Sequence, residues 1–178
     1  PTDSGGTQDR DAHMFGIRVG KTFKNAKLSP TITLWYDTLT GSDDDDMTGN
    51  DWGGFNTLYD TGHKFYGFMD HHLSARNLGT ANYGLQDMAI KTKWKLSPVN
   101  TLKVDIHHFE TQTDLEGDDS DTMRTNDLID GGAGVQGNSL GEEIDVIFIH
   151  KYDANTKIVA GYGHYFTTRT FGFLNGGG

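Results

Sequence analysis

The chain of 178 residues is long enough for one domain with a sizeable core, but only 34% of it is hydrophobic, with 24 glycines and three prolines, which is apolar-poor for a self-sufficient soluble globule. Ten Phe, seven Tyr and three Trp exclude a solvated tail, and the lack of Cys excludes a disulfide scaffold and thiolate metal sites. The net charge of −10 belongs to 40–63 and 110–143, which hold sixteen of the 25 acids and one base, Arg124, so nothing resembles the basic, aromatic-interleaved surface that binds nucleic acid. In chain order, the first alternating run covers about 12–23, with Phe15, Ile17 and Val19 opposite Arg18. The second covers 31–40, with Ile32, Leu34 and Tyr36 opposite Thr33 and Asp37. In 83–96, Met88, Ile90, Thr92, Trp94 and Leu96 oppose Asp87, Lys91, Lys93 and Lys95. In 101–113, Leu102, Val104 and Ile106 oppose Lys103, Asp105 and His107. Two final runs, 140–153 and 156–168, set Ile144, Val146, Phe148, Ile158, Tyr162 and Phe166 against Glu143, Asp145, Lys151, Lys157, Gly163 and Tyr165.

Period two over about ten residues is the length of a tilted membrane strand, and low hydrophobicity with many aromatics suits a wall that shows lipid and water alternately. No run approaches the ~18–20 apolar residues of a membrane helix, and Pro1–Arg10 lacks the apolar centre of a signal peptide. Tight turns are readable at 24–30, 97–100 and 153–156 from their Pro, Asn and Asp content. Long loops at 41–82 and 114–139 separate them. In an up-and-down barrel all the short turns share one rim, which requires an even number of strands between successive short turns. His63–Asp70 (HKFYGFMD) would break that parity as a strand, so it is assigned to the long loop, folding inward as the candidate constriction. The fold class is therefore all-β, an up-and-down antiparallel transmembrane barrel. Six strands are fewer than the roughly eight needed to close, so the chain is expected to be part of a larger wall.

Candidate pore-lining or solute-binding residues are Arg18, Lys91, Lys93 and Lys103 on the strands, with Lys64 and Arg76 from the long loop. Bases facing water inside a low-dielectric wall focus a positive field on an anionic solute. The plain alternative is a solvated face with cross-strand pairing, for example to Asp87, Asp105 or Asp145. Those acids and Glu143 either temper solute affinity or serve as structural partners of the bases. Lys95 and Lys157, beside turns, read as rim charges. The pairs His71–His72 and His107–His108 invite a metal reading, but neighbours along a strand point to opposite faces, and no metal site is expected. The acidic runs Asp43–Asp46 and Asp114–Asp121 offer oxygen ligands to Ca²⁺ without EF-hand spacing, so they read as solvated loops and no cofactor is expected. Trp35, Trp94, Tyr36, Tyr152, Tyr162 and Phe166 are candidates for interfacial aromatic girdles. Catalytic residues are not expected, since GxSxG, HExxH and Gly-rich phosphate motifs are all missing.

Four segments carry a family resemblance: ITLWYDTLTGSDDDD (32–46), TGHKFYGFMD (61–70), MAIKTKWKLSPVNTLKVDIHHF (88–109) and SLGEEIDVIFIHKYDANTKIVAGYGHYF (139–166). They resemble the alginate-export outer-membrane proteins over roughly 12–175, as the C-terminal portion of a longer barrel without its last strand. The resemblance implies a monomeric barrel of roughly eighteen strands, sited in the bacterial outer membrane, with an electropositive lumen that passes an alginate-like polyuronate. Its expected partners are outer-membrane lipid, lipopolysaccharide and an anionic oligo- or polysaccharide. Two other functions fit the residues: a general or small-solute porin, and a soluble carbohydrate-binding or hydrolytic β-sandwich.

Overall fold

A computed structural model of the chain describes residues 9–42, 51–57, 65–72, 79–80, 82–113 and 137–175. In chain order the elements are β1 (Asp9–Arg10), β2 (Met14–Thr22), β3 (Thr31–Leu39), β4 (Asp51–Trp52), β5 (Leu85–Lys95), β6 (Asn100–Glu110), β7 (Ser139–Lys151), β8 (Lys157–Thr167) and one short helix, α1 (Arg169–Leu174). Among the described residues, β2, β3, β5, β6, β7 and β8 form one six-stranded sheet in that order, every pair antiparallel. β1 pairs β4 separately, in parallel, over two residues.

The sheet meanders, so its connections sort by length onto two ends. Residues 23–30, 96–99 and 152–156 make the short-turn end; at the other, long-loop end the chain leaves β3 and β6 and re-enters at β5 and β7. Each short turn is held by local chemistry. Phe23 N donates to Pro30 O at 2.8 Å, and Leu28 and Ser29 take positive φ. Ser97 Oγ accepts from Asn100 N at 3.0 Å. Asp153 Oδ1 accepts from Asn155 N and Thr156 N, both at 2.7 Å, an Asx turn that draws its carboxyl below the ordinary carboxylate range.

Register gives the sheet two unlike faces. Val19, Leu34, Ile90, Ile106 and Ile144 are aligned in one row across five strands. They stand exposed by 63, 56, 48, 48 and 37%. Neighbouring rows on this face add Ile17, Met88, Val146, Phe148 and Tyr162, all exposed, so the face is a continuous apolar band far broader than a soluble surface tolerates. Polar residues bound it: Thr38, Gln86 and Glu110 align at the long-loop end, and Asn100 and His150 at the short-turn end.

The opposite face carries the charged residues and the core. Leu39, Tyr66, Leu85, Phe109, Leu140 and Tyr165 are buried together, with Phe55, Phe65, Phe171 and Leu174 packed against them, at the long-loop end. Leu140 enters through a bulge: Phe109 pairs Gly141 while Glu110 pairs Ser139, leaving Leu140 as the extra residue. The helix α1, which the alternation pattern did not indicate, begins where Thr168 Oγ1 accepts from Phe171 N at 3.2 Å and lays Phe171 against Tyr165, ring centroids 5.0 Å apart.

Candidate functional site: a charged face crossed by an inward segment

Alternation places Arg18, Asp37, Asp87, Lys91, Lys93, Lys103, Asp105, His107, Glu143 and Asp145 all on the core-bearing face. Lys64, Arg76, His63 and the acidic runs 43–46 and 114–121 lie outside the described residues. The strand residues separate into two groups along the sheet. Toward the long-loop half the two bases, Arg18 and Lys91, are each paired with an acid. Arg18 Nη2 lies 2.7 Å from both carboxylate oxygens of Asp37, which is buried and also accepts from Trp35 Nε1 at 3.0 Å. The Arg18 guanidinium sits 3.8 Å from the Trp35 ring centroid, and Lys91 Nζ 4.8 Å from the same ring. Lys91 Nζ is 3.9 Å from Asp105 Oδ2, and His107 Nδ1 is 2.8 Å from Asp87 Oδ1 with both side chains fully buried.

Trp35 therefore departs from its assignment to an aromatic girdle. It belongs to the parity of Asp37, and two cations hold it on the charged face. Trp94 and Tyr36 lie on the apolar face, near its two polar borders. His107 and His108 fall on opposite faces; His108 Nε2 lies 3.1 Å from Glu110 Oε1 on the apolar side. Among the described residues no three His, Asp or Glu side chains are arranged to hold a metal ion.

At the short-turn half the picture changes. Lys93 and Lys103 are direct cross-strand partners, and so are Lys151 and Lys157. Among the described residues none of these four makes an ion pair. Like charges placed directly opposite destabilise a sheet, so the fold itself gains nothing from them.

Residues 65–72 cross this face from β3 to β8. Phe65 packs on Trp35 with ring centroids 6.2 Å apart, and its carbonyl accepts from Lys91 Nζ at 3.3 Å. Tyr66 is buried, and that burial, reinforced by Asp37 and Asp87, pushes its phenol above the ordinary value, so it stays neutral. Phe68 N donates to Glu143 Oε1 at 2.6 Å and to Asp145 Oδ2 at 3.0 Å; Met69 N donates to the same Glu143 oxygen at 2.8 Å. Phe68 and Met69 lie over Gly161 and Gly163 of β8, where a Cβ would stand 2.7 Å from Phe68 Cζ or 2.8 Å from Met69 Cγ. His72 Nε2 completes the crossing 3.1 Å from Tyr165 OH. Sequence reasoning placed this segment inward by parity but had no signal for its anchors, Glu143 and Asp145, which lie 74 to 77 residues away.

An antiparallel sheet with one apolar and one charged face defines an all-β protein whose strands show unlike surroundings on their two sides. The alginate export family model matches residues 2–172, and the chain belongs to that family, as its sequence motifs imply. The family is one of outer-membrane channels for polysaccharide export, not of enzymes. No curated protein and no solved structure matches the chain.

Proposed function

We propose that this chain builds part of the wall of an outer-membrane channel that passes an anionic oligo- or polysaccharide of the alginate-like polyuronate class. The carrying observation is the Lys93–Lys103 pair: two cations face each other across a strand pair with no ion-pair partner among the described residues. Their cost to the sheet is offset if their field acts on a solute, since charge in a low-dielectric wall concentrates counter-ions. Lys91 and Arg18 already have partners and shape the wall more than they attract solute. The apolar face meets outer-membrane lipid. The outer edges of β2 and β8 leave backbone groups that hydrocarbon cannot satisfy, so further strands, to roughly eighteen in the family's architecture, complete the barrel.

Reversal potentials of the full-length protein in planar bilayers test this reading. Anion selectivity and block or passage of uronate oligomers are expected, with Lys93→Glu/Lys103→Glu shifting selectivity toward cations. A cation-selective channel that uronates neither block nor cross would falsify the assignment of solute. Equal passage of neutral sugars in liposome swelling would instead mark a general porin.

A further inference from the structure

The segment 65–69 is held to β7 in an unusual way: its own backbone amides bind a carboxylate. Gly67 takes φ +84°, turning the chain so that the N–H groups of Phe68 and Met69 converge on one oxygen of Glu143, at 2.6 and 2.8 Å. Successive amides converging in this manner form an anion-binding concavity. Gly67 is required twice over, because a Cβ there would also stand 2.5 Å from both Glu143 oxygens. The resident anion is imperfectly held. Asp145 Oδ2 crowds onto the same Phe68 N–H at 3.0 Å, placing two carboxylates beside one donor. Glu143 Oε2 and Asp145 Oδ1 are buried with no hydrogen-bond partner, on side chains 0 and 2% exposed. Lifting the segment would give those two oxygens water as partners, a gain that opposes the loss of the amide hydrogen bonds holding it down.

From this geometry we propose that the Phe68–Met69 amide pair is a carboxylate receptor whose resident occupant is Glu143, and that the carboxylates of the passing solute compete for it and release the segment from the wall. The inference rests on the anionic-solute reading above and adds a site and a release step to it. A uronate carboxylate offers the amides the same charge-assisted hydrogen bonds that Glu143 does, and a polymer presents many such groups in succession. Phe68 and Met69 seated over Gly161 and Gly163 supply an apolar hinge side to which the segment returns.

Two variants of the full-length protein test it in planar bilayers. Glu143→Gln keeps the side-chain shape but gives the amides a neutral acceptor; the uronate-oligomer concentration for half-maximal change in conductance is expected to fall about tenfold, with neutral oligomers as control. Met69→Cys/Gly163→Cys locks the segment down: the Gly163 Cβ position lies 2.8 Å from Met69 Cγ, so the two Cβ atoms are no more than about 4.3 Å apart, inside the disulfide range. The oxidised lock is expected to lower salt conductance and abolish the uronate response, both restored by reductant. A wild type that responds to uronates beside a Glu143→Gln variant that responds identically overturns this inference alone, as does a lock without effect. A wild type blind to uronates, with salt conductance still sensitive to the lock, overturns the anionic-solute reading and the competing ligand with it.

Discussion

Arg18 shows how a single side chain on the charged face is committed. Its guanidinium meets both oxygens of Asp37 at 2.7 Å and covers the Trp35 ring at 3.8 Å, while Asp37 has no exposure of its own. Removing Arg18 leaves a buried carboxylate with one neutral donor, Trp35 Nε1. Breaking a fully buried pair costs about 3–5 kcal/mol, but Arg18 is 33% exposed, and solvent screening brings the expected coupling to about 1–2 kcal/mol. A double-mutant cycle of Arg18→Ala and Asp37→Asn, followed by urea unfolding in lipid, measures it; additive single effects would remove the argument. At this scale the sequence was only partly legible. Alternation assigned Asp87, Asp105, Glu143 and Asp145 to one face, yet it left open whether they pair or stay free. The partners decide that: His107 and Lys91 come from adjoining strands, whereas the amides for Glu143 and Asp145 come from a loop 74 to 77 residues distant, and no local pattern encodes such a contact. Trp35 misled for a related reason. Its ring suggests an interface with lipid, while its parity and two neighbouring cations place it on the charged face.

Among the elements, the six strands were legible because apolar and polar side chains alternate along the sequence, and period two leaves no other face for Ile106 or Lys103 to occupy. The Leu140 bulge and α1 were not. A bulge changes register by one residue without changing composition, and α1 is six residues long, held by tertiary packing of Phe171 rather than by a periodic pattern. The two faces make opposite predictions for one substitution. Ile106→Arg puts a charge in the middle of the apolar band and is expected to cost about 2–4 kcal/mol of folding free energy in lipid. Ile149→Arg, on the charged face toward the short-turn end, is expected to change stability by only about 0.5 kcal/mol. Urea titration in liposomes compares them, and equal penalties would show that the band does not face hydrocarbon.

Across the whole molecule the fixed charges form a gradient along the sheet. The charged face carries Lys93, Lys95, Lys103, Lys151 and Lys157 toward the short-turn end, and Asp37, Asp87, Asp105, Glu143 and Asp145 toward the long-loop end. The lysines lack ion-pair partners among the described residues, whereas the acids are partly neutralised by Arg18, Lys91 and backbone amides. A pore with a basic mouth and an acidic far half gathers mobile anions at one end and cations at the other. A field that drives both toward the middle raises the ion content there, and the reverse field depletes it. The full-length channel is therefore expected to rectify, passing more current when the long-loop side is positive. That polarity also moves anions from the short-turn side to the long-loop side. The effect depends on unscreened wall charge: the Debye length is about 10 Å at 0.1 M and about 3 Å at 1 M, so rectification seen at the lower salt is expected to fade at the higher. Lys93→Glu/Lys103→Glu reverses part of the basic mouth and is expected to flatten the current–voltage curve at low salt. A symmetric wild-type curve at 0.1 M would mean that charge elsewhere in the wall outweighs this gradient.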